Sequence, residues 1–462
     1  MMLSQSTAQR LAADLHGRLV KPGDPSYDEA RRVWNGLIDR RPALIAQCAD
    51  AADVVRAVEF ARDQELLLAV RGGGHNVAGF GTCDDGLVLD LSQMKEVVVD
   101  VEARTARAQP GLTWGEFDAA TQANALATTG GLVTTTGIAG FTLGGGIGWL
   151  MRKHGLTIDN LLEVEMVTAS GARVRANETE RADLFWAVRG GGGNFGVVTS
   201  FTYRLHPVGP NVYGGAAFYS AEKAPELLGF YRDWVQTMPD ELTTMVAFVT
   251  APPEQFIPQD LHGTPMIAVA LCYAGPAEQG EAAVTPLRDF ATPDVDAVGP
   301  MPYVALQGMS DAGAPKGILS YWKAEYLQEL DDQVVETLIA HSGRMGAPFA
   351  QVHIHHLGGA ISRVNDDSTA FGHRDAPFIL NIIGMCEQPA EVDSQIAWVR
   401  EFAQAVQPFG TGAQYVNFLA DEGEARVKAA YGEEKYERLA EVKRQYDPTN
   451  LFRLNQNILP AT

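Results

Sequence analysis

The sequence predicts an α+β protein in two parts: a glycine-rich domain and an inserted α+β domain built on an antiparallel sheet. The first indication is a short apolar run, residues 66–70, that ends abruptly in Arg71-Gly72-Gly73-Gly74-His75-Asn76. A buried strand that breaks into glycines exposes consecutive backbone N–H groups, the geometry of a nest for a phosphate or pyrophosphate. The second is repetition: Gly144-Gly145-Gly146-Ile147-Gly148 and Gly190-Gly191-Gly192-Gly193 have the same character. Three such clusters imply close backbone approach to one large phosphate-bearing cofactor. The third is their end point. After His206-Pro207-Val208-Gly209-Pro210 the clusters stop, and longer strands and amphipathic helices take over, the signature of a separate α+β domain.

Taken in order, a helix is expected over about residues 4–17 and a strand over 43–48. Asp50 caps a helix with Val54, Val55, Val58 and Ala61 on one side. The strand at 66–70 follows, so a β-α-β unit delivers the nest. Residues 87–91 and 97–101 read as strands with Ser92-Gln93 between them, and 114–124 as a helix. The stretch 130–148 holds too much glycine for a continuous helix. Residues 161–169 and 172–176 form a hairpin about Ser170-Gly171, 183–188 a short helix and 197–205 a strand. In the second part, strands are expected at 216–218, 245–250, 266–273, 351–356 and 378–385. The ending from Tyr446-Asp447-Pro448 to Ile458 reads as a return to the first domain. The division is therefore 1–207 with 411–462, and 208–410.

The 462 residues, 46% of them apolar, are enough for two or three domains with real cores. A net charge of −21 argues against nucleic acid as a partner. Residues 1–20 lack an apolar signal core and no apolar run reaches membrane-spanning length, so a soluble cytoplasmic protein without a membrane partner is expected. Cys48, Cys83, Cys272 and Cys386 are scattered without CxxC spacing and read as reduced thiols.

The quoted segments, with Thr136-Gly137-Ile138-Ala139-Gly140, Leu143 through Trp149, Gly155-Leu156-Thr157-Ile158-Asp159-Asn160, Leu184 through Gly196, and the ending through Gln456-Asn457, resemble the berberine bridge enzyme-like branch of the vanillyl-alcohol-oxidase flavoproteins. A lone Gly-x-Gly-x-x-Gly would instead suggest a dinucleotide-binding Rossmann unit. The placement of His75 and the order of the clusters argue against that. The resemblance implies a PCMH-type FAD-binding domain with an inserted substrate domain. It implies that His75 carries FAD through a covalent histidyl link, and that Arg71, Gly72, Gly73, Gly74 and Asn76 cradle the pyrophosphate. Gly137, Gly140, Gly144, Gly145 and Gly148 would lie along the ribityl chain and isoalloxazine, the Val198 backbone at the adenine, and Asn455 and Gln456 at the C-terminal side of the flavin. Gly79, Thr135, Trp149 and Asn417 complete the cofactor-binding set.

Two departures from the family pattern matter. Val133 stands where many relatives carry a second, cysteinyl link, and valine cannot form a thioether, so a single covalent bond is expected. Thr136 stands at the position that gates oxygen, and its small size points to an oxidase that reduces O2 to H2O2. The glutamate and tyrosine that serve plant relatives are matched by Leu380, after His373-Arg374, and by Phe418, in Tyr415-Val416-Asn417-Phe418. Neither is a base. The replacements proposed from sequence are His353 and His355, which strand alternation places with Gln351 on one face, opposite Val352 and Ile354. Their ordinary pKa near 6.5 suits proton transfer at neutral pH. A solvated strand face and a metal pair are the competing readings, and no third ligand is apparent, so no metal is expected. Tyr415 and Thr136 join the pair as candidate catalytic residues. Tyr303 and Tyr321-Trp322-Lys323 could add an aromatic wall, with ordinary packing the stronger reading.

The expectation is an FAD-dependent oxidase that takes two electrons from a C–OH, C–N or activated C–H group of a small organic substrate. A phenolic, amine or polyketide molecule is favoured over a sugar. A flavin-dependent oxygenase, and a flavin- or ligand-binding protein that has lost its chemistry, are the alternatives. Homo-oligomerisation is left open.

Overall fold

The computed structural model describes residues 5–462. The first helix runs Gln5–Asp14; Ser4, its expected start, lies outside the described residues.

Short runs of aliphatic residues build a four-stranded sheet in the order Arg18–Val20, Leu44–Gln47, Leu87–Asp90, Leu68–Arg71. The last three strands are mutually parallel. Parallel strands need a crossover. The helix Ala51–Asp63 supplies one, started by Asp50, whose carboxylate accepts from the N–H groups of Ala52 and Asp53. The crossover skips one position, because Leu87–Asp90 lies between the two strands it joins. Strand Leu68–Arg71 thus ends with Gly72 at the sheet's carboxyl edge.

A second, wholly antiparallel sheet orders Val97–Asp100, Thr105–Ala108, Val197–Arg204, Leu161–Val167 and Arg173–Asn177. It contains the expected hairpin, and a strand at Thr105–Ala108 that the sequence reading did not include. The helix Trp114–Gln122 starts at a capping box, in which Thr113 and Glu116 satisfy each other's backbone N–H groups.

The third sheet has eight strands, antiparallel at every pairing: Val295–Asp296, Asn211–Ser220, Pro265–Tyr273, Leu242–Thr250, Gln351–His356, Phe378–Cys386 and Leu319–Leu327, with Gly299–Pro302 on the second. Strand Leu319–Leu327, which carries Tyr321-Trp322-Lys323, is an addition to the strands expected from sequence. One face of the sheet, with Val246, Val352, Ile354, Leu380 and Ile382, is buried under apolar residues such as Leu228, Leu338 and Phe402 from helices Ala224–Trp234, Asp332–Ser342 and Val392–Val406. The period-2 alternation of strands sends Met245, His353, His355, Asn381 and Ile383 to the other face.

The C-terminal segment packs back on the first part. Val427, Tyr431 and Leu439 share a core with Phe117 and Phe201, and Phe452 shares one with Leu68 and Leu89. Asp447 anchors the end. Fully buried, it pairs with Lys443 at 2.7 Å and accepts the N–H groups of Leu451 and Phe452. Among the described residues no helix is long and apolar enough to cross a membrane, and all four cysteines are free and buried.

Candidate active site

The nest loop, the glycines at 137–144 and 192–193, the C-terminal residues 452–456 and the second face of the eight-stranded sheet line one cavity. At one end, Gly74 takes a φ of +72°, the alternation that turns successive N–H groups inward. The N–H groups of Gly72, Gly73, Gly74, His75 and Asn76 meet no acceptor among the described residues. Gly73 and Gly137 press backbone to backbone, a Cβ on either falling 2.4 Å from the other's nitrogen. Around Gly140 and Gly193 a Cβ would meet no protein atom within 4 Å, so protein packing does not account for the missing side chain there.

His75 follows the nest. Its ring stacks on Trp34, with centroids 5.2 Å apart and planes at 24°. Thr135 Oγ1 lies 3.1 Å from Nε2, and Thr136 Oγ1 3.4 Å from Nδ1. Burial, helped by Lys316, pushes its pKa down to about 4, so the ring is neutral at pH 7 and retains the nitrogen lone pair that attachment to an electrophilic carbon requires. Free donors, glycines beside unfilled space and a neutral imidazole together fit a pyrophosphate-bearing flavin.

Several expected cofactor contacts are placed otherwise. The Arg71 guanidinium turns away from the nest, to Asp90 at 2.9 Å and the Ala30 carbonyl at 2.6 Å, because sheet register sets Arg71 beside Asp90. Gly79 packs against Ile38, Gly145 against Phe371, and Gly148 against the Gly130 carbonyl; none lines the cavity. Trp149 is buried in a core with Tyr303, behind the cavity, so Tyr303 forms no wall. Thr135 does not line the cavity and reaches it only through the His75 ring. The other expected contacts, Thr136, Gly144, Val198, Asn417, Asn455 and Gln456, do line it, as does Val133. Asn76 Oδ1 accepts from Phe80 N–H at 3.0 Å. Gln456 donates to the Leu419 carbonyl at 2.7 Å, which seats the tail.

Tyr415 is buried at the centre of the second wall. Its hydroxyl oxygen accepts from Gly146 N–H and from Asn417 Nδ2, each at 2.8 Å, leaving its own proton free to donate. Burial pushes the phenol up to about 12, so it acts as a hydrogen-bond donor rather than a base. The second Asn417 donor goes to the Phe141 carbonyl at 2.9 Å, so neither points to a ligand.

Strand alternation brings His353 and His355 to the cavity with Gln351, while Val352 and Ile354 enter the core. Their basicity is not the expected one. Burial pushes His353 down to about 4, and His355, further disfavoured by His353, to about 3. At neutral pH both are uncharged hydrogen-bonding groups and weak bases. Leu380, the position matched to the plant glutamate, faces the helices, and the residue of that strand on the cavity side is Asn381, directly opposite His353. The cavity thus has an amide, still no carboxylate, at this place. A lone Asn inside the buried strand Phe378–Cys386 was the available signal. Trp322 and Phe418 meet edge to face at 5.7 Å and complete the aromatic side. Trp34, which packs on His75, carried no local signal in sequence.

Residues 42–177 match the FAD binding domain family model, and residues 414–459 the model for berberine and berberine-like proteins. The chain is 32% identical to an FAD-linked oxidoreductase of Dictyostelium discoideum, over 96% of this chain and 95% of that one. It is 29% identical to (R)-6-hydroxynicotine oxidase of Paenarthrobacter nicotinovorans, over 96% and 97% of the two chains. The crystal structure of 6-hydroxy-D-nicotine oxidase from Arthrobacter nicotinovorans matches with a TM-score of 0.87 at 29% identity, covering 97% of this chain and 98% of that one. Xylooligosaccharide oxidase from Myceliophthora thermophila C1, solved with xylobiose, shares the fold with a TM-score of 0.87 at 23% identity, covering 99% and 100%.

Proposed function

Because the chain belongs to the berberine bridge enzyme-like family of FAD-linked oxidoreductases, we propose that it is an oxidase of a small organic molecule. It would remove two electrons from a C–OH, C–N or activated C–H group and pass them to O2, giving H2O2. The observation that carries this reading is that the nest with His75 and the wall with His353, His355 and Asn381 open onto the same cavity.

In this reading residues 1–207 and 411–462 hold the flavin, and 208–410 the substrate. FAD, when bound, supplies the two-electron acceptor and the reaction with oxygen. The chain's own residues supply the rest. The free N–H groups of Gly72 to Asn76 hold the pyrophosphate, and neutral His75 bears the covalent link. Val133 has no thiol for a second one. Thr136 lies beside His75, where its small side chain would leave room for oxygen to reach the flavin. Tyr415 donates its proton as a hydrogen bond and keeps it at neutral pH, while His353 and His355 orient the substrate and accept hydrogen bonds from it.

The test is anaerobic mixing of the purified protein with candidate alcohols, amines and phenols, followed by admission of oxygen. Bleaching of the flavin by a substrate, then peroxide equimolar with product, is the expected result. A hydroxylated product with peroxide well short of equimolar would establish an oxygenase instead. A flavin left oxidised by every candidate would favour a binding protein.

A further inference from the structure

The cavity wall made by the eight-stranded sheet carries information about the substrate that the oxidase reading leaves open. Among the described residues no Asp, Glu or Lys lines the cavity, and the one charged lining residue, Arg71, has its guanidinium committed to Asp90. An ion entering this space would lose its water without gaining a counter-charge, which costs far more than burying a neutral group.

Two polar atoms on the wall are buried with no partner, His355 Nε2 and Asn381 Oδ1. A buried polar atom without a hydrogen bond costs about 1–3 kcal/mol, so such atoms mark where a ligand group would dock. The neighbouring His353 has a defined orientation. Gln351 Nε2 donates to the Gly313 carbonyl at 3.1 Å, so its amide oxygen is the end that faces His353 Nε2, at 2.8 Å. An amide oxygen only accepts. The proton of neutral His353 therefore sits on Nε2, and Nδ1 is a bare acceptor. Around these groups the wall is apolar, with Trp322, Phe418, Met245 and Ile383.

We propose that this wall binds an uncharged, aromatic molecule that presents an O–H or N–H donor to Asn381 Oδ1 and His353 Nδ1, and that it rejects both carboxylates and saccharides. A saccharide would leave most of its hydroxyls against Trp322, Phe418 and Ile383 without partners. The proposal rests on the reading of this cavity as the substrate site of the oxidase.

The test uses the flavin-loaded protein at pH 7 and four probes: 2-naphthol, 2-methoxynaphthalene, 2-naphthoate and xylobiose. Binding is read from perturbation of the flavin spectrum and quenching of tryptophan fluorescence. The expected result is saturable binding of 2-naphthol at least tenfold tighter than of its methyl ether, with no saturation by 2-naphthoate or xylobiose. In Asn381→Leu the advantage of the naphthol over the ether falls to about threefold or less. Binding of the anion or the disaccharide as tight as that of 2-naphthol overturns the proposal, as does equal binding of naphthol and ether, or binding of none of the four. The comparison in the unaltered protein decides even if the variant fails to fold. Naphthol bound beside a flavin that no substrate ever bleaches would count against the oxidase reading and leave the ligand class standing.

Discussion

His353 and His355 show how burial redirects a side chain whose identity is plain in the sequence. Val352 and Ile354 point into the core and the imidazoles into the cavity, as the alternation of this strand requires. A histidine's usefulness as a base then depends on what surrounds it, and here the surroundings favour the neutral ring. The pKa values of about 4 and about 3 lie below the ordinary 6.5. Between those limits the unfolded chain binds protons that the folded one does not, so the folded state loses stability as pH falls from about 6.5 towards 4. At roughly 1.4 kcal/mol per pKa unit, each ring accounts for about 3 kcal/mol or more over that window. The double variant His353→Gln with His355→Gln should lose markedly less stability between pH 7 and pH 4 than the unaltered protein, measured by urea unfolding at both values. Equal losses would mean that the rings are solvated in the folded state.

At the scale of elements, the helix Trp114–Gln122 meets the helix Tyr303–Gln307 through a buried carboxyl. Asp118 accepts from Gln307 Nε2 at 2.7 Å, its other oxygen has no partner, and burial raises its pKa to about 7. The sign is opposite to that of the histidines. The folded state holds the proton more tightly, so Asp118 costs stability increasingly as pH rises from about 4 to about 7, and the cost is constant above that. Asp118→Asn keeps an oxygen for Gln307 and removes the ionisation. Its melting temperature relative to the parent should therefore be higher at pH 8 than at pH 4.5, and a difference independent of pH would contradict the assignment.

Elements also show where sequence reading succeeds and where it stops. The nest was legible because its signal is local: an apolar run, three glycines and a histidine within the ten residues 66–75. Strand Leu319–Leu327 was not, because Lys323 and Glu325 break its apolar pattern. Their partners are Glu422 and the Gly412 N–H, far along the chain. Leu380, matched to the plant glutamate, faces the core while its neighbour Asn381 faces the cavity, because successive residues of a strand point to opposite faces. Arg71 was assigned to a phosphate because its pairing with Asp90 depends on sheet register, and Trp34 was overlooked because only tertiary packing brings it to His75.

At the scale of the whole molecule, a segment from the C-terminus closes a cavity whose other walls include residues of three separately built sheets. The tail is fixed by Lys443 and Asp447, and by Asn194 Nδ2 donating to the Gln456 carbonyl at 3.0 Å. The buried pair Arg374–Asp159, at 2.7 Å, ties the loop that precedes strand Phe378–Cys386 to the segment that follows the glycine-rich region. The proposed function assigns that arrangement to one large group, a flavin spanning the cavity from the nest to the histidine wall and fastened at His75. The direct measurement is the visible spectrum of the purified protein before and after acid precipitation, in the parent and in His75→Ala. Yellow colour that stays with the precipitate of the parent, and is absent from that of the variant, is the predicted result. Colour released to the supernatant by the parent would contradict the covalent link at His75.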